Sequence, residues 1–182
     1  MRELALHLLD IAENSVSARA ANIYILVEED TQQDTLRMLV KDNGSGMTPE
    51  MVAKVIDPFT TSRTTRKVGL GIPLLKAAAE MCEGWLKIES TVGLGTTVEV
   101  LFKRSHIDRM PLGNLAETFV NLLIGTPNVH WVFEYKLNQN SFLFDDEPIK
   151  NELDEIPLSE PAVIKFIREY FHSGFLSVKE QI

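Results

Sequence analysis

The 182-residue chain contains a single cysteine, Cys82, so it cannot form an internal disulfide framework. It also has no run of about 20 apolar residues, which is the length that a membrane-spanning helix requires. Residues 1–20 include Glu3, Asp10 and Glu13 at short intervals and therefore do not form the apolar core of a signal peptide. These absences predict a cytoplasmic protein with no membrane segment.

Positive charge is also scarce, because 18 lysines and arginines face 26 aspartates and glutamates and give a net charge of −8. Affinity for the phosphate backbone of nucleic acids comes mainly from clustered lysine and arginine. The acidic balance therefore argues against a general nucleic-acid binder. Apolar residues make up 45% of the chain, which is enough to build a core in one domain or two small ones.

Hydrophobic periodicity divides the chain near residue 104. Before that point the pattern predicts a helix, a hairpin, a short helix, a further helix and two strands. After it, a helix, a hairpin and a final helix are predicted. We therefore predict an α+β fold, with a first domain at residues 1–104 and a smaller α-β-β-α module at residues 105–182.

The predicted C-terminal module contains no motif with a recognisable chemistry. Trp131, Phe133 and Tyr135 alternate along one predicted strand, which favours a core face over a binding surface. The acidic stretch over residues 145–155 is predicted to face solvent. The position of the module alone makes it our candidate for contact with a protein partner.

An aspartate followed by closely spaced glycines ends the second predicted strand, over residues 42–47. Asn-Gly between apolar runs is a strong hairpin signal, so a plain turn is one interpretation. However, Thr48 and Pro49 are typical of a helix start, whereas a hairpin needs a returning strand. The alternative is a ligand site, in which the glycines admit a close backbone approach and Asp42 accepts a hydrogen bond from an exocyclic amine.

A Gly-Leu-Gly sequence at residues 69–71 precedes another predicted helix. Open backbone amides at a helix start bind phosphate, although a simple turn is the plainer interpretation. Arg63, Arg66 and Lys67 concentrate positive charge just before it in an otherwise acidic chain. They form either a solvated basic loop or a set of phosphate contacts.

Polar residues also line one face of the first predicted helix, where His7, Asp10 and Asn14 are spaced by three and four positions. Such a face is usually only the solvent-exposed side. The alternative is a ligand site, with Asn14 as an oxygen ligand to Mg²⁺ and Asp10 as the group that polarises an attacking water or hydroxyl.

In this order, the motifs resemble the GHKL ATP-binding superfamily of gyrase, heat-shock chaperone, histidine kinase and mismatch-repair proteins. The local match is closest to the histidine-kinase ATP-binding domain, and residues 13–15 are similar to the mismatch-repair helix. The other matching segments are residues 42–47, 57–63, 69–72 and 95–97. The resemblance covers residues 1–103 and implies a two-layer α/β sandwich of the Bergerat type, a mixed sheet with helices on one face.

The resemblance implies ATP and Mg²⁺ as ligands. Asn14 would bind Mg²⁺, Asp42 would accept from the adenine amino group, and Thr97 would reach the adenine, commonly through water. A lid over residues 59–67 would cover the triphosphate. The residues implied in nucleotide binding are Asn14, Asp42, Gly44, Gly46, Met47, Arg63, Lys67, Val68, Gly69, Leu70, Gly71 and Thr97.

Two departures from the family pattern concern catalysis. Hydrolysing members usually carry glutamate where this chain has Asp10, whose side chain is one methylene shorter, so its role as a general base stays open. Lys67 stands where kinases often have a glycine. Because the resemblance starts at residue 1, it leaves no room ahead of it for a helical hairpin with a phosphoacceptor histidine. We therefore expect any phosphoryl acceptor to lie in another protein.

The sequence thus predicts an Mg-ATP-binding protein that acts as a protein kinase or slow ATPase on a separate partner. The alternative is a non-catalytic, ATP-gated regulator or scaffold that binds its partner as the anti-sigma-factor kinases do. Nucleic acid and membrane are not expected as partners. The oligomeric state stays open, a homodimer included.

Overall fold

Six strands and six helices are present in the structure, a computed structural model that describes residues 3–57 and 71–180. In chain order they are α1 (Leu4–Ser17), β1 (Asn22–Asp30), β2 (Thr35–Asp42), α2 (Pro49–Ile56), α3 (Gly71–Met81), β3 (Trp85–Thr91), β4 (Gly95–Lys103), α4 (Leu115–Gly125), β5 (His130–Leu137), β6 (Asn140–Asp145), α5 (Asp146–Leu153) and α6 (Pro161–Glu180). The strands form one mixed sheet in the order β3-β4-β2-β1-β5-β6. Strands β1 and β5 pair in parallel, and the other neighbouring strands pair antiparallel.

The core lies between the helices and one face of this sheet. The register places Met38 of β2 opposite Val100 of β4, and Ile25 of β1 opposite Phe133 of β5. All four side chains are fully buried. Helix α1 contacts β2, α3 contacts β3 and β4, and α6 contacts β5 and β6. The predicted two-layer fold, with helices on one face of a mixed sheet, is therefore confirmed.

The opposite face of the sheet carries polar pairs that cross from strand to strand. Arg37 Nη1 lies 2.9 Å from Glu28 Oε2, and Arg37 Nε lies 2.6 Å from Glu99 Oε1. Tyr24 donates a hydrogen bond to Glu134 on β5. Successive side chains of a strand point to opposite faces, so the same strands bury apolar residues on one side and present these pairs on the other.

Helix α2 starts where its sequence predicts. The Thr48 hydroxyl oxygen accepts a hydrogen bond from the Met51 amide at 3.3 Å, and Pro49 occupies the first helical position. A threonine cap satisfies one of the free amides of the first turn, and proline has no amide to satisfy there. The chain therefore leaves β2 through residues 42–47 and enters a helix, and it does not return as the second strand of a hairpin.

The C-terminal strands extend the same sheet. Strand β5 pairs with β1 along its whole length, from Asn22 opposite His130 to Glu29 opposite Leu137. The alternating aromatic residues of β5 are buried, which confirms their prediction as core. Since the sheet is continuous across residue 104, the two predicted domains share one core, and their independence as folding units stays a prediction.

The acidic stretch after β6 differs from its prediction. Residues 146–153 form helix α5, and Asp146 at its start is only 1% exposed. The prediction that this stretch faces solvent is therefore wrong for Asp146, which turns inward because α5 packs against β5. Within the described ranges, no helix combines the length and the apolar composition needed to cross a membrane.

Candidate functional site

A cavity of about 270 Å³ opens at the end of the sheet where β2 stops. Its other walls come from α1, the segment after β2, α2, α3 and β4, and most of its lining is apolar. Its polar groups include Asn14, Ser15, Asp42 and Thr96. A concave, largely apolar site with a few convergent polar groups is the usual form of a small-molecule site.

Asp42 is held in place from three directions. Its Oδ2 accepts from the Ser15 hydroxyl at 2.6 Å, and its Oδ1 accepts from the Gly44 amide at 2.8 Å and from the Thr96 amide at 3.2 Å. A carboxylate offers about four acceptor positions, so one is left for a donor from a ligand. The donors come from α1, the segment after β2, and β4, which fixes the orientation of this remaining position.

The segment that follows Asp42 packs closely against the turn between β3 and β4. Gly46 has φ +66°, and a Cβ atom added to it would lie 2.0 Å from the Thr91 carbonyl oxygen. The Gly93 amide donates to Ser45 O, and the Met47 amide donates to Ser90 Oγ, both at 2.8 Å. Only glycine fits at position 46, both for its backbone conformation and for its contact. Residues 42–47 therefore do not form a plain hairpin turn, because they pack against the turn between β3 and β4, and their role as a ligand site stays a prediction.

Of two adjacent threonines on β4, the structure brings Thr96 to the cavity and not the predicted Thr97. The register pairs Thr96 with Asp42 and Thr97 with Lys41, so the two threonines face opposite sides of the sheet. Thr96 Oγ1 also lies 2.8 Å from Ser90 Oγ. The sequence pattern could have identified Thr96. Alternate residues of a strand lie on the same face, so Thr96 must share the face of the apolar residue Val98. Any contact between a threonine and adenine stays a prediction.

The predicted polar face of α1 separates into two parts. Asn14 lines the cavity together with Ser15, a residue to which the sequence assigned no role. Asp10 lies one turn earlier and is not part of the described lining. It faces the start of α3, where a Cβ atom added to Gly71 would lie 2.9 Å from Asp10 Oδ2. The predicted general base therefore lies beside the helix start that the sequence predicts to bind phosphate.

His7 is the third residue of this face, and it is buried. Its exposed fraction is 3%, and its Nδ1 atom has no hydrogen-bond partner among the described residues. Burial lowers the pKa of His7, and the nearby Asp10 carboxylate only partly opposes this effect. The imidazole therefore belongs to the wall of this region as a neutral group.

Several predicted site residues lie outside the described residues. These are Arg63, Lys67, Val68, Gly69 and Leu70, together with the rest of the predicted lid. Of the remaining predicted residues, the structure brings Asn14, Asp42, Gly46 and Met47 together at the cavity. Gly44 lies beside them, since a Cβ atom there would come within 2.8 Å of Ala18 O. Their roles in binding stay predictions.

Comparison with protein families identifies the first part of the chain. Residues 1–106 match the model of the histidine kinase-, DNA gyrase B- and HSP90-like ATPases. The chain belongs to this family. The GHKL resemblance of the sequence motifs is therefore confirmed, and the cavity at Asp42 lies within the matched residues.

Curated relatives include much longer proteins. The chain is 32% identical over 111 residues to the non-motile and phage-resistance protein of Caulobacter vibrioides, in a match that covers 56% of this chain and 13% of that protein. It is 27% identical over 108 residues to a putative sensor histidine kinase, NtrY-like, of Rickettsia conorii, covering 59% of this chain and 18% of the relative. The chain thus spans less than a fifth of the length of these relatives.

Solved structures share the fold over a larger part of the chain. The Aquifex aeolicus MutL ATPase domain complexed with ADP matches with a TM-score of 0.50 and 18% identity, over 74% of this chain and 60% of that one. The N-terminal domain of a DNA repair protein matches with a TM-score of 0.52 and 18% identity, over 79% and 52%. The family match covers 106 of the 182 residues, and these two structural matches cover more of the chain, 74% and 79%. The shared fold therefore includes part of the C-terminal strands and helices.

Proposed function

We propose that this chain binds Mg-ATP in the cavity at Asp42 and acts as a protein kinase or slow ATPase on a separate partner protein. The observation that carries the proposal is the Asp42 carboxylate, which three donors hold so that one acceptor position remains at an apolar cavity. An adenine base complements this site, because it has a flat apolar surface and an amino donor at its edge. Membership of an ATPase family supports the same ligand.

The residues at the cavity fit such a nucleotide. The side chains of Ile11, Met47 and Val98 line the cavity and supply apolar contact for the base. Asn14 presents a neutral amide oxygen, the kind of ligand that Mg²⁺ accepts alongside water and phosphate oxygens. When bound, the ion would neutralise phosphate charge, which together with positioning is the main source of catalysis in phosphoryl transfer.

Asp10 is the proposed general base. It lies against the first residue of α3, and the free amides of a helix start attract phosphate oxygens. A carboxylate beside bound phosphate could accept the proton of an attacking water or hydroxyl. In this proposal the chain contributes the base and the orientation of the nucleotide, while the partner protein contributes the acceptor group.

The second candidate is a non-catalytic regulator, in which ATP stabilises one conformation that a partner recognises. Its support is the position of Asp10 outside the described lining of the cavity, while Asn14 and Asp42 lie within it. Under this candidate, binding needs Asp42 and Asn14 but no proton acceptor. The two candidates therefore make the same claim about binding and opposite claims about turnover.

Binding is tested by titrating the full chain with ATP in the presence and absence of Mg²⁺, using calorimetry. Asp42→Asn replaces an acceptor oxygen with an amino group, and we expect it to weaken ATP binding at least about tenfold, because a buried donor then meets the adenine amine. Asp108→Asn is the matched control, since Asp108 is largely exposed. Unchanged affinity in Asp42→Asn would falsify the site.

Turnover is tested with ATP labelled at the γ-phosphate, with and without proteins that co-purify with the chain. A kinase or ATPase should transfer the label to protein or water, and Asp10→Asn should slow the transfer while ATP still binds. If the wild-type chain binds ATP but the label never leaves it, the regulator is the correct candidate.

A further inference from the structure

A second cluster of ligand-type side chains lies where β5 begins and β6 runs into α5. His130 is the first residue of β5, and Asp145 and Asp146 stand at the junction of β6 and α5. One ligand atom from each of the three lies within 4.8 Å of the others. None of them lines the cavity at Asp42, so the cluster is separate from the nucleotide site.

Asp146 is the unusual member of this cluster. Its exposed fraction is 1%, and neither of its carboxylate oxygens accepts a hydrogen bond of regular geometry from the described residues; its close polar neighbours include the Lys150 ammonium and the Trp131 amide. Oδ1 is directed towards His130, whose Nε2 lies 3.7 Å away. Buried polar atoms are nearly always paired, because an unpaired acceptor costs free energy when it leaves water. The Oδ1 atom, which lies on the side of His130, is therefore available to a ligand.

The charge balance of the cluster also favours a bound cation. Lys150 Nζ lies 2.6 Å from Asp146 Oδ2 and also donates to Val129 O at 2.6 Å. This ammonium group balances one of the two carboxylates, and it lies at Oδ2, away from the Oδ1 atom that faces His130. Asp145, the other carboxylate, has no lysine or arginine partner among the described residues and lies against His130.

The spacing of the ligand atoms suits a metal ion. Nitrogen and oxygen ligands lie about 2.0–2.2 Å from a transition metal, so two neighbouring ligands are about 2.8–3.1 Å apart in octahedral geometry and about 3.3–3.6 Å apart in tetrahedral geometry. His130 Nε2 lies 2.9 Å from Asp145 Oδ1 and 3.7 Å from Asp146 Oδ1. The third distance of the cluster, between the two carboxylates, is bounded by the 4.8 Å that encloses all three ligand atoms, so an ion would draw the carboxylates together.

We propose that His130, Asp145 and Asp146 form a binding site for a divalent transition metal such as Zn²⁺. One imidazole nitrogen and two carboxylate oxygens suit Zn²⁺, Mn²⁺ or Fe²⁺, whereas Mg²⁺ and Ca²⁺ favour oxygen ligands alone. Lys150 would hold the Asp146 carboxylate in place through its second oxygen. The ion would join the start of β5 to the junction between β6 and α5.

The test is calorimetric titration of the metal-stripped full chain with ZnCl₂ in the absence of nucleotide, because ATP itself binds metals. One ion should bind per chain, and it should raise the melting temperature. His130→Gln and Asp145→Asn should each weaken Zn²⁺ binding at least about tenfold. Asp145→Asn is a mild change to the helix, because Asp145 caps α5 through the Glu147 amide and asparagine is an equally good cap.

His172→Gln is the matched control, because His172 is an exposed histidine on α6. It should bind Zn²⁺ like the wild type. Melting of each variant without metal shows that it is folded, and if His130→Gln does not fold, Asp145→Asn decides. The proposal is overturned if the wild type shows no saturable binding, or if Asp145→Asn binds Zn²⁺ as tightly as the wild type. In either case the Lys150 ammonium would be the cationic partner of the cluster, and no metal ion would bind there.

Discussion

The two halves of the sheet are held together by different interactions. One half contains β4 and β2, and the other contains β5 and β6. At the cavity beside Asp42, the Asp42 carboxylate is placed by three hydrogen bonds and Gly46 by a close backbone contact. Around β5, the Phe133 ring stacks on Phe119 with ring centroids 4.3 Å apart and on Trp131 at 5.5 Å. Directional bonds thus position the candidate site, while packed rings stabilise the opposite half.

This difference separates stability from ligand binding within one fold. Packing depends on the volume and shape of the side chains and tolerates no large cavity. Hydrogen bonds contribute less to net stability but determine orientation. We therefore expect substitutions in the aromatic half to act mainly on unfolding, and substitutions at the cavity to act mainly on the binding of nucleotide.

The largest effect is expected from Phe133→Ala. Phe133 is 1% exposed and contacts rings on both sides, so its truncation should lower the free energy of unfolding by about 3–5 kcal/mol. Urea unfolding measures the change. Leu143→Ala on the adjacent β6 is the control, because Leu143 is 55% exposed and its loss should cost less than about 0.5 kcal/mol. Equal losses in the two variants would contradict the role of ring packing.

Gly46→Ala should have the next largest effect on stability, and it should also abolish measurable binding of ATP. The added methyl group would meet Thr91 O at 2.0 Å, so the backbone at the cavity must move. Gly93→Ala is the matched control, since Gly93 also has a positive φ, +79°, but its added Cβ would meet nothing within 4 Å. The control should lose only the conformational term of about 1–2 kcal/mol.

The difference between these glycine variants isolates the close contact from the backbone conformation. Urea unfolding gives the two stability changes, and ATP titration gives the two affinities. If Gly93→Ala weakens ATP binding as much as Gly46→Ala, the contact at Thr91 is not what shapes the cavity.

The smallest effect concerns pH and His7. Burial lowers the pKa of His7 in the native state below the ordinary value of 6.5, so the unfolded chain binds a proton first as the pH falls. Stability contributed by His7 is therefore present above about pH 6.5 and decreases below it, by at most about 1.4 kcal/mol per pH unit. Urea unfolding of wild type and His7→Gln at pH 7.5 and 5.5 measures this contribution.

In His7→Gln the fall in stability between these two pH values should be smaller than in the wild type. His172→Gln is the matched control, because it makes the same substitution at an exposed position on α6. A pH dependence that is the same in wild type and His7→Gln would contradict the burial of a neutral imidazole.

Much of the candidate site was predictable because its motifs are local. The Asp-x-Gly-x-Gly segment and the threonine-proline helix start lie within residues 42–49, and their order implied the ATPase fold that the family match confirms. The choice between Thr96 and Thr97 was not local. It depends on the register between β2 and β4, which pairs Thr96 with Asp42. Ser15 was missed for the same reason, since its partner Asp42 is 27 positions away.

In the C-terminal half, contacts between distant residues were even less predictable from the sequence. Its alternating aromatic residues predicted a buried strand, and the strand is buried. Its parallel pairing with β1 joins residues more than a hundred positions apart and leaves no local pattern. Asp146 belongs to an acidic stretch, and composition alone predicts that such a stretch is solvated.

By itself, the sequence determined the family and most of the helices and strands, with α5 as an exception, because periodicity, capping and glycine spacing act over a few residues. Only the tertiary structure decided which side chains share a cavity, that all six described strands form one sheet, and that Asp146 is buried beside His130. Those outcomes depend on strand register and packing between distant segments, and such contacts exist only once the chain has folded.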